Sequence, residues 1–128
     1  MEEKQPDYAN GKICYVIIPS KDAQASASFF EKTVDWRIRR DNHGSLSFDD
    51  AVGQVSGMWV TGLKPHRDSD LRIHIMVADI AGTVEKIKAA GGIIVQDFDL
   101  NASEVTAEFT DLDGNIWGLY QERKLAGK

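Results

Sequence analysis

A single cysteine in 128 residues leaves the chain no internal disulfide with which to staple its fold. No apolar run approaches the roughly 18 residues that cross a bilayer, so no membrane span is expected. Basic charge is scarce as well: 15 Lys and Arg stand against 20 Asp and Glu, giving a formal net charge of -5. Binding to phosphate backbones needs concentrated Lys and Arg, so nucleic acid is excluded as a partner. The only basic cluster is Arg37, Arg39 and Arg40, and its alternation with Trp36 and Ile38 reads as the solvated face of a strand. The first ten residues lack the basic start and apolar stretch of a signal peptide. Residues 1–11 therefore read as a flexible tail and residues 122–128 as a second one, which favours the cytoplasm.

What is present is an ordinary globular composition, 42% hydrophobic and 27% charged. A chain of this length can bury about two-thirds of its unfolded surface in one domain. Cys14 lies in the apolar run from Ile13 to Ile18, and a buried, inert thiol is expected there.

Two stretches match each other without a gap. Phe48-Asp-Asp-Ala-Val-Gly-Gln-Val-Ser-Gly-Met-Trp59 and Phe109-Thr-Asp-Leu-Asp-Gly-Asn-Ile-Trp-Gly-Leu-Tyr120 share Phe, Asp50/Asp111, Gly53/Gly114 and Gly57/Gly118. Each joins a tight turn to a strand, so the chain reads as one module written twice. Lys12 to Pro19 is apolar and β-branched, and Pro19 ends it as a strand because proline lacks a ladder N–H. Ser20 or Asp22 can cap a helix that packs Phe29, Phe30 and Val34 on a sheet. Trp36 to Arg40, Ser45 to Asp49 and Val55 to Thr61 follow as strands, the first two around the turn formers Asn42-His-Gly44. Residues 62–70, with Gly, Pro and charged residues, read as a linker between modules spanning 12–61 and 71–121.

The second module repeats the order. Leu71 to Ala78 is a strand, and Asp79 caps a helix whose Ile80, Val84, Ile87 and Gly91 fall on one stripe. Gly91-Gly92 stops it. Ile93 to Phe98, Val105 to Thr110 and Ile116 to Gln121 complete β-α-β-β-β. Asp111-Leu-Asp-Gly-Asn lacks the distal Glu and the oxygen run of a calcium loop and reads as a turn, with Gly114 at positive φ.

The duplicated module, the segment Phe29-Phe-Glu-Lys-Thr-Val-Asp-Trp36 and Asp111-Leu-Asp-Gly-Asn-Ile116 together resemble the vicinal oxygen chelate superfamily. That superfamily contains glyoxalase I, bleomycin-resistance proteins and extradiol dioxygenases. The resemblance implies an α+β fold of two tandem β-α-β-β-β modules forming an open mixed β-barrel, with helices outside a ligand cavity. Metal-using members hold a divalent metal with His, Gln or Glu from the first strand of each module and Glu from the last strand of each. Those positions map to Tyr15, Gly57, Arg72 and Gly118, none of which replaces such a ligand in kind. No metal is expected at the usual site; a divalent metal is left only a non-standard one.

Strand alternation places Ile17, His74 and Met76 with Tyr15 and Arg72, and Trp59, Ile116 and Tyr120 beside the two glycines. The implied pocket is aromatic and apolar, with extra room where the Glu side chains would stand. Arg72 can grip a carboxylate, phosphate or enolate, or pair with Glu108. His74 is the candidate for acid–base work, against the alternative of a hydrogen-bonded core histidine. His43 and His66 are expected to be exposed, and no carboxylate is expected on the cavity face. The expected function is binding of a small aromatic or anionic molecule without the usual metal. The alternatives are a lyase, isomerase or dioxygenase using His74 with Arg72 or a metal bound at a shifted site, and sequestration of an antibiotic. The resemblance also implies a homodimer, since relatives often pair modules between chains and so bury sheet edges.

Overall fold

The computed structural model describes residues 7–10, 12–67 and 71–122. The tails expected at 1–11 and 122–128 and the end of the linker fall largely outside them. Backbone packing divides the chain into two compact units, Met1–Lys64 and Pro65–Lys128. The element order is β1 (Tyr15–Pro19), α1 (Ala23–Val34), β2 (Arg37–Arg40), β3 (Leu46–Asp49) and β4 (Ser56–Val60) in the first. In the second it is β5 (His74–Val77), α2 (Ile80–Ala89), β6 (Ile93–Gln96), β7 (Thr106–Thr110) and β8 (Ile116–Gln121). Each unit is therefore β-α-β-β-β, as the sequence implies. No helix among the described residues is long and apolar enough to cross a membrane.

Each unit carries one four-stranded mixed sheet, ordered β1-β4-β3-β2 in the first and β5-β8-β7-β6 in the second. The pairs β1/β4 and β5/β8 are parallel and the others antiparallel. The opening strands are shorter than the apolar runs suggest, beginning at Tyr15 instead of Lys12 and at His74 instead of Leu71. Cys14, expected to be buried, is exposed, since it precedes the paired part of β1.

Both helices start where a side chain can satisfy their free N–H groups. Asp22 accepts from the backbone of Gln24 and Ala25, and Asp79 accepts from Gly82. The helix stop at Gly91-Gly92 has Gly91 at φ +102°, with the Gly92 N–H returning to the Ile87 carbonyl at 2.9 Å. Each helix covers one face of its own sheet. In the first unit Trp36 is sandwiched between Phe30 of α1 (ring centroids 4.5 Å apart) and Phe48 of β3 (4.3 Å). In the second, Ile80, Val84 and Ile87 of α2 are buried, as are Phe109, Trp117 and Leu119.

The turns preceding β4 and β8 differ by one residue. The Asp111 N–H bonds to the Asn115 carbonyl four residues on, whereas the Asp50 N–H bonds to the Val55 carbonyl five residues on. Gly53 and Gly114 each return to the aspartate three residues earlier, so the extra residue falls after Gly53. The gapless match of the two stretches therefore ends at the turn. Phe48 faces Gly57 across β3/β4, while its counterpart Phe109 faces Trp117 across β7/β8. In register, Gly57 corresponds to Trp117 and Met58 to Gly118.

Candidate functional site

One face of each sheet is covered by a helix, and the other is open. The open face of the first unit carries Tyr15 and Ile17 of β1, 48% and 54% exposed. Pairing places Ser56 and Met58 of β4, Ser47 and Asp49 of β3, and Arg37 and Arg39 of β2 beside them. The arginines read from the sequence as merely solvated thus share a face with Tyr15. Arg39 donates to Asp49 through Nε and Nη2, both at 3.0 Å, and the Ser56 hydroxyl donates to the same carboxylate at 2.6 Å. Partial burial raises the Asp49 carboxyl, but Ser56 and Arg39 outweigh it and hold the group below its ordinary range.

That balance has a measurable consequence. A carboxyl depressed in the folded state stabilises the protein above its unfolded pKa and loses that contribution as pH falls through its folded value. Asp49→Asn is therefore expected to be less stable than the parent at pH 7 and to approach it at pH 3. The Arg39 side chain is 55% exposed, so the difference is held to about 1 kcal/mol or less. Urea unfolding at the two pH values measures it.

Gly57 and Trp59, expected on the cavity side, lie on the helix-covered face instead. Trp59 is 4% exposed and packs on Phe30 and Phe48. A Cβ at Gly57 would stand 2.1 Å from the Val16 carbonyl oxygen and 2.5 Å from Phe48 Cζ. No room for a ligand exists there. At the Tyr15 end of the open face, a concavity of about 840 Å³ is lined by Tyr8, Cys14, Tyr15, Arg39, Gln54 and Ser56. The Asp7 N–H donates to Gln54 Oε1 at 3.0 Å, and Lys12 donates to the Gln54 carbonyl, which ties down one wall.

In the second unit the open face carries His74 and Met76 of β5, Gly118 and Tyr120 of β8, and Glu108 and Thr106 of β7. These include four of the residues singled out from the sequence. Glu108 also brings the carboxylate that was not expected on this face. It accepts from Arg72 Nε at 3.1 Å, an ion pair that is the structural alternative weighed for Arg72. The imidazole of His74 is exposed and lies against Gly118: a Cβ there would stand 2.5 Å from both Cδ2 and Nε2. The room expected over Gly118 is therefore filled by that ring. His74 is not a core histidine, and its ring nitrogens have no hydrogen-bond partner among the described residues. Beside it, the Glu104 carboxylate, followed by that of Glu122, pushes the Tyr120 phenol above its usual range. His43 is exposed as expected, whereas His66 is half-buried, because its N–H donates to Asn115 Oδ1 at 2.8 Å and its ring contacts the Leu71 carbonyl.

The turn before β8 is a buried polar hub. Asp111 accepts from the backbone N–H groups of Asp113 and Asn115, from Asn115 Nδ2 and from Trp117 Nε1 at 3.0–3.1 Å. Burial pushes the Asp111 carboxyl up, and those donors oppose the shift. Its role is structural, in keeping with the turn expected from the sequence.

Tandem β-α-β-β-β units, each an open mixed sheet with its first strand parallel to its last, define the glyoxalase-like fold. The chain belongs to the glyoxalase-like domain family, whose model matches residues 15–119. No curated protein matches it. Among solved structures, a member of the glyoxalase/bleomycin resistance protein/dioxygenase superfamily from Sphaerobacter thermophilus is 17% identical, with a TM-score of 0.70 over 88% of this chain and 98% of that one. The antibiotic-binding protein TnmS3 from a Streptomyces species is 20% identical, with a TM-score of 0.66 over 90% and 98%. The fosfomycin resistance protein FosX from Mesorhizobium loti is 14% identical, with a TM-score of 0.68 over 90% and 94%. At these identities the likeness is one of fold.

With the register corrected, the four positions that the resemblance assigns to metal ligands hold Tyr15, Met58, Arg72 and Gly118. A thioether is a soft donor, a guanidinium is a cation, a neutral phenol binds Zn, Ni or Fe poorly, and glycine offers no donor. Met58 takes the place first given to Gly57 without improving the fit. These residues do not suit a divalent metal held in the family's manner.

Proposed function

We propose that this protein binds a small organic molecule on the helix-free faces of its sheets and does so without the family's usual divalent metal. The observation that carries this reading is the set Tyr15, Met58, Arg72 and Gly118 at the ligand positions, with Arg72 paired to Glu108. Protein purified without chelator is expected to contain far less than one equivalent of Zn, Ni, Mn or Fe. Chelator treatment is expected to leave its melting temperature within about 1 °C, since a metal held at 100 times its Kd would add about 2.7 kcal/mol. Near-stoichiometric metal whose removal abolishes ligand binding overturns the reading. A thermal-shift screen of aromatic and amphipathic metabolites tests the binding itself.

Sequestration of an antibiotic is a second reading, favoured by the fold shared with an antibiotic-binding protein and a fosfomycin resistance protein. Resistance conferred by expression of the chain separates it from binding of a metabolite. An enzyme of the lyase, isomerase or dioxygenase type is the third, favoured by the imidazole of His74 on an open face. Turnover that survives His74→Ala removes that residue from the reaction. A homodimer is retained as a proposal, which light scattering decides.

A further inference from the structure

We infer that in the second unit Gly118 serves as the seat of His74, so that an imidazole stands where metal-using relatives place a carboxylate, and that this imidazole anchors the hydroxyl of an uncharged hydroxyaromatic ligand. The inference rests on the small-molecule reading above and names the ligand class for one of its faces.

Three observations carry it. Strand β8 lies between β5 and β7, and across it His74, Gly118 and Glu108 form one row. Only glycine at the centre of that row leaves space for the ring, because any Cβ would stand 2.5 Å from two of its atoms. The glycine at a position that the resemblance assigns to a metal-binding glutamate is thus also the one that admits the imidazole. Secondly, the ring nitrogens are without a hydrogen-bond partner among the described residues. A neutral imidazole accepts a hydrogen bond at one nitrogen and donates at the other, and an acidic hydroxyl such as a phenol satisfies the acceptor. Thirdly, the next row in register is Met76, Tyr120 and Thr106. Met76 is 57% exposed, and a thioether beside a phenol ring is a favourable bed for a flat aromatic.

Charge selects against an anion at the same place. The guanidinium of Arg72 is already engaged by Glu108, and the carboxylates of Glu104 and Glu122 flank Tyr120. A carboxylate ligand would meet more negative than positive charge there, whereas a neutral hydroxyl would not. The anionic class inferred from Arg72 alone therefore gives way, on this face, to a neutral one.

The test uses the full chain, isotope-labelled, with phenol, toluene and benzoate as probes. The ring signals of His74 are assigned by their loss in His74→Gln. Phenol is expected to shift those signals saturably and to bind roughly tenfold tighter than toluene or benzoate. In Gly118→Ala the ring is displaced and the preference for phenol over toluene falls to about one. His74→Leu, which keeps Gly118 and offers no acceptor, must lose the same preference. The inference is overturned if phenol leaves the His74 signals unmoved up to its solubility limit. It is equally overturned if toluene or benzoate binds as well as phenol, or if His74→Leu keeps the preference. A compound found by the thermal-shift screen that binds independently of His74 would leave the small-molecule reading standing and remove only this one.

Discussion

Replacing Asp111 with alanine is expected to lower the stability of the protein by about 3 kcal/mol, measured by urea unfolding at pH 7 with an unchanged m-value. The residue is 5% exposed, and its carboxylate accepts from four donor groups, the backbone N–H groups of Asp113 and Asn115, Asn115 Nδ2 and Trp117 Nε1. Alanine strands these donors where water does not easily reach, and each unsatisfied buried donor costs about 1–3 kcal/mol before relaxation. Partial rearrangement of the turn brings the total below the sum. Asn115 amplifies the effect, because its Oδ1 receives the His66 N–H and so ties the turn to the segment leading into the second unit's sheet. Asp50→Ala is the internal control. Among the described residues Asp50 Oδ1 accepts only the backbone N–H groups of Gln54 and Val55 in a half-buried turn, so a loss of about 1 kcal/mol is expected. Equal losses at the two aspartates would show that the Asp111 hub is not a source of stability.

Gly57→Ala is expected to cost about 3 kcal/mol or to prevent folding, and Gly118→Ala less than about 1 kcal/mol. At Gly57 the added methyl meets the Val16 carbonyl at 2.1 Å and the Phe48 ring at 2.5 Å. Neither can yield cheaply: the carbonyl belongs to the β1/β4 ladder, and Phe48 is packed against Trp36 and Trp59. At Gly118 the methyl meets the outer atoms of an exposed imidazole, which can swing toward solvent. Chemical unfolding of both variants reads the contrast. Similar costs would contradict the one-residue offset between the two turns and return the glycines to equivalent places.

The architecture was legible because it is written in strong local signals. Asp22 and Asp79 cap their helices, Ile80, Val84 and Ile87 mark one helical face, and Asp111 and Gly114 form a turn. The alternation that put Tyr15 with Ile17 and His74 with Met76 also held. What was not legible depended on register between strands. Identity of Gly57 with Gly118 argued for a gapless repeat, yet the turn at Asp50 is one residue longer, and a shift of one residue sends a side chain to the opposite face. That single shift misplaced Gly57 and Trp59 and hid Met58. Glu108 was missed because its face follows from its pairing with Gly118, which no pattern along β7 alone reveals. Arg37 and Arg39 do lie on the face opposite Ile38, with Arg39 exposed, but the strand pattern alone did not show that this face is shared with Tyr15. A count from Phe48 through the antiparallel pair β2/β3 would have put them beside Tyr15.

The extra residue after Gly53 also gives the two copies of the module independent phases. Both strands keep the same ladder and the same aspartate–glycine turn, while the residue that closes the turn and those that follow are dealt to the two faces in opposite order. A duplication that preserved phase would constrain both halves of the protein to evolve similar open faces from similar sequences. A one-residue difference between the turns lifts that constraint. The first copy could spend its glycine on packing Phe48, and the second could spend the matching glycine on exposing a histidine.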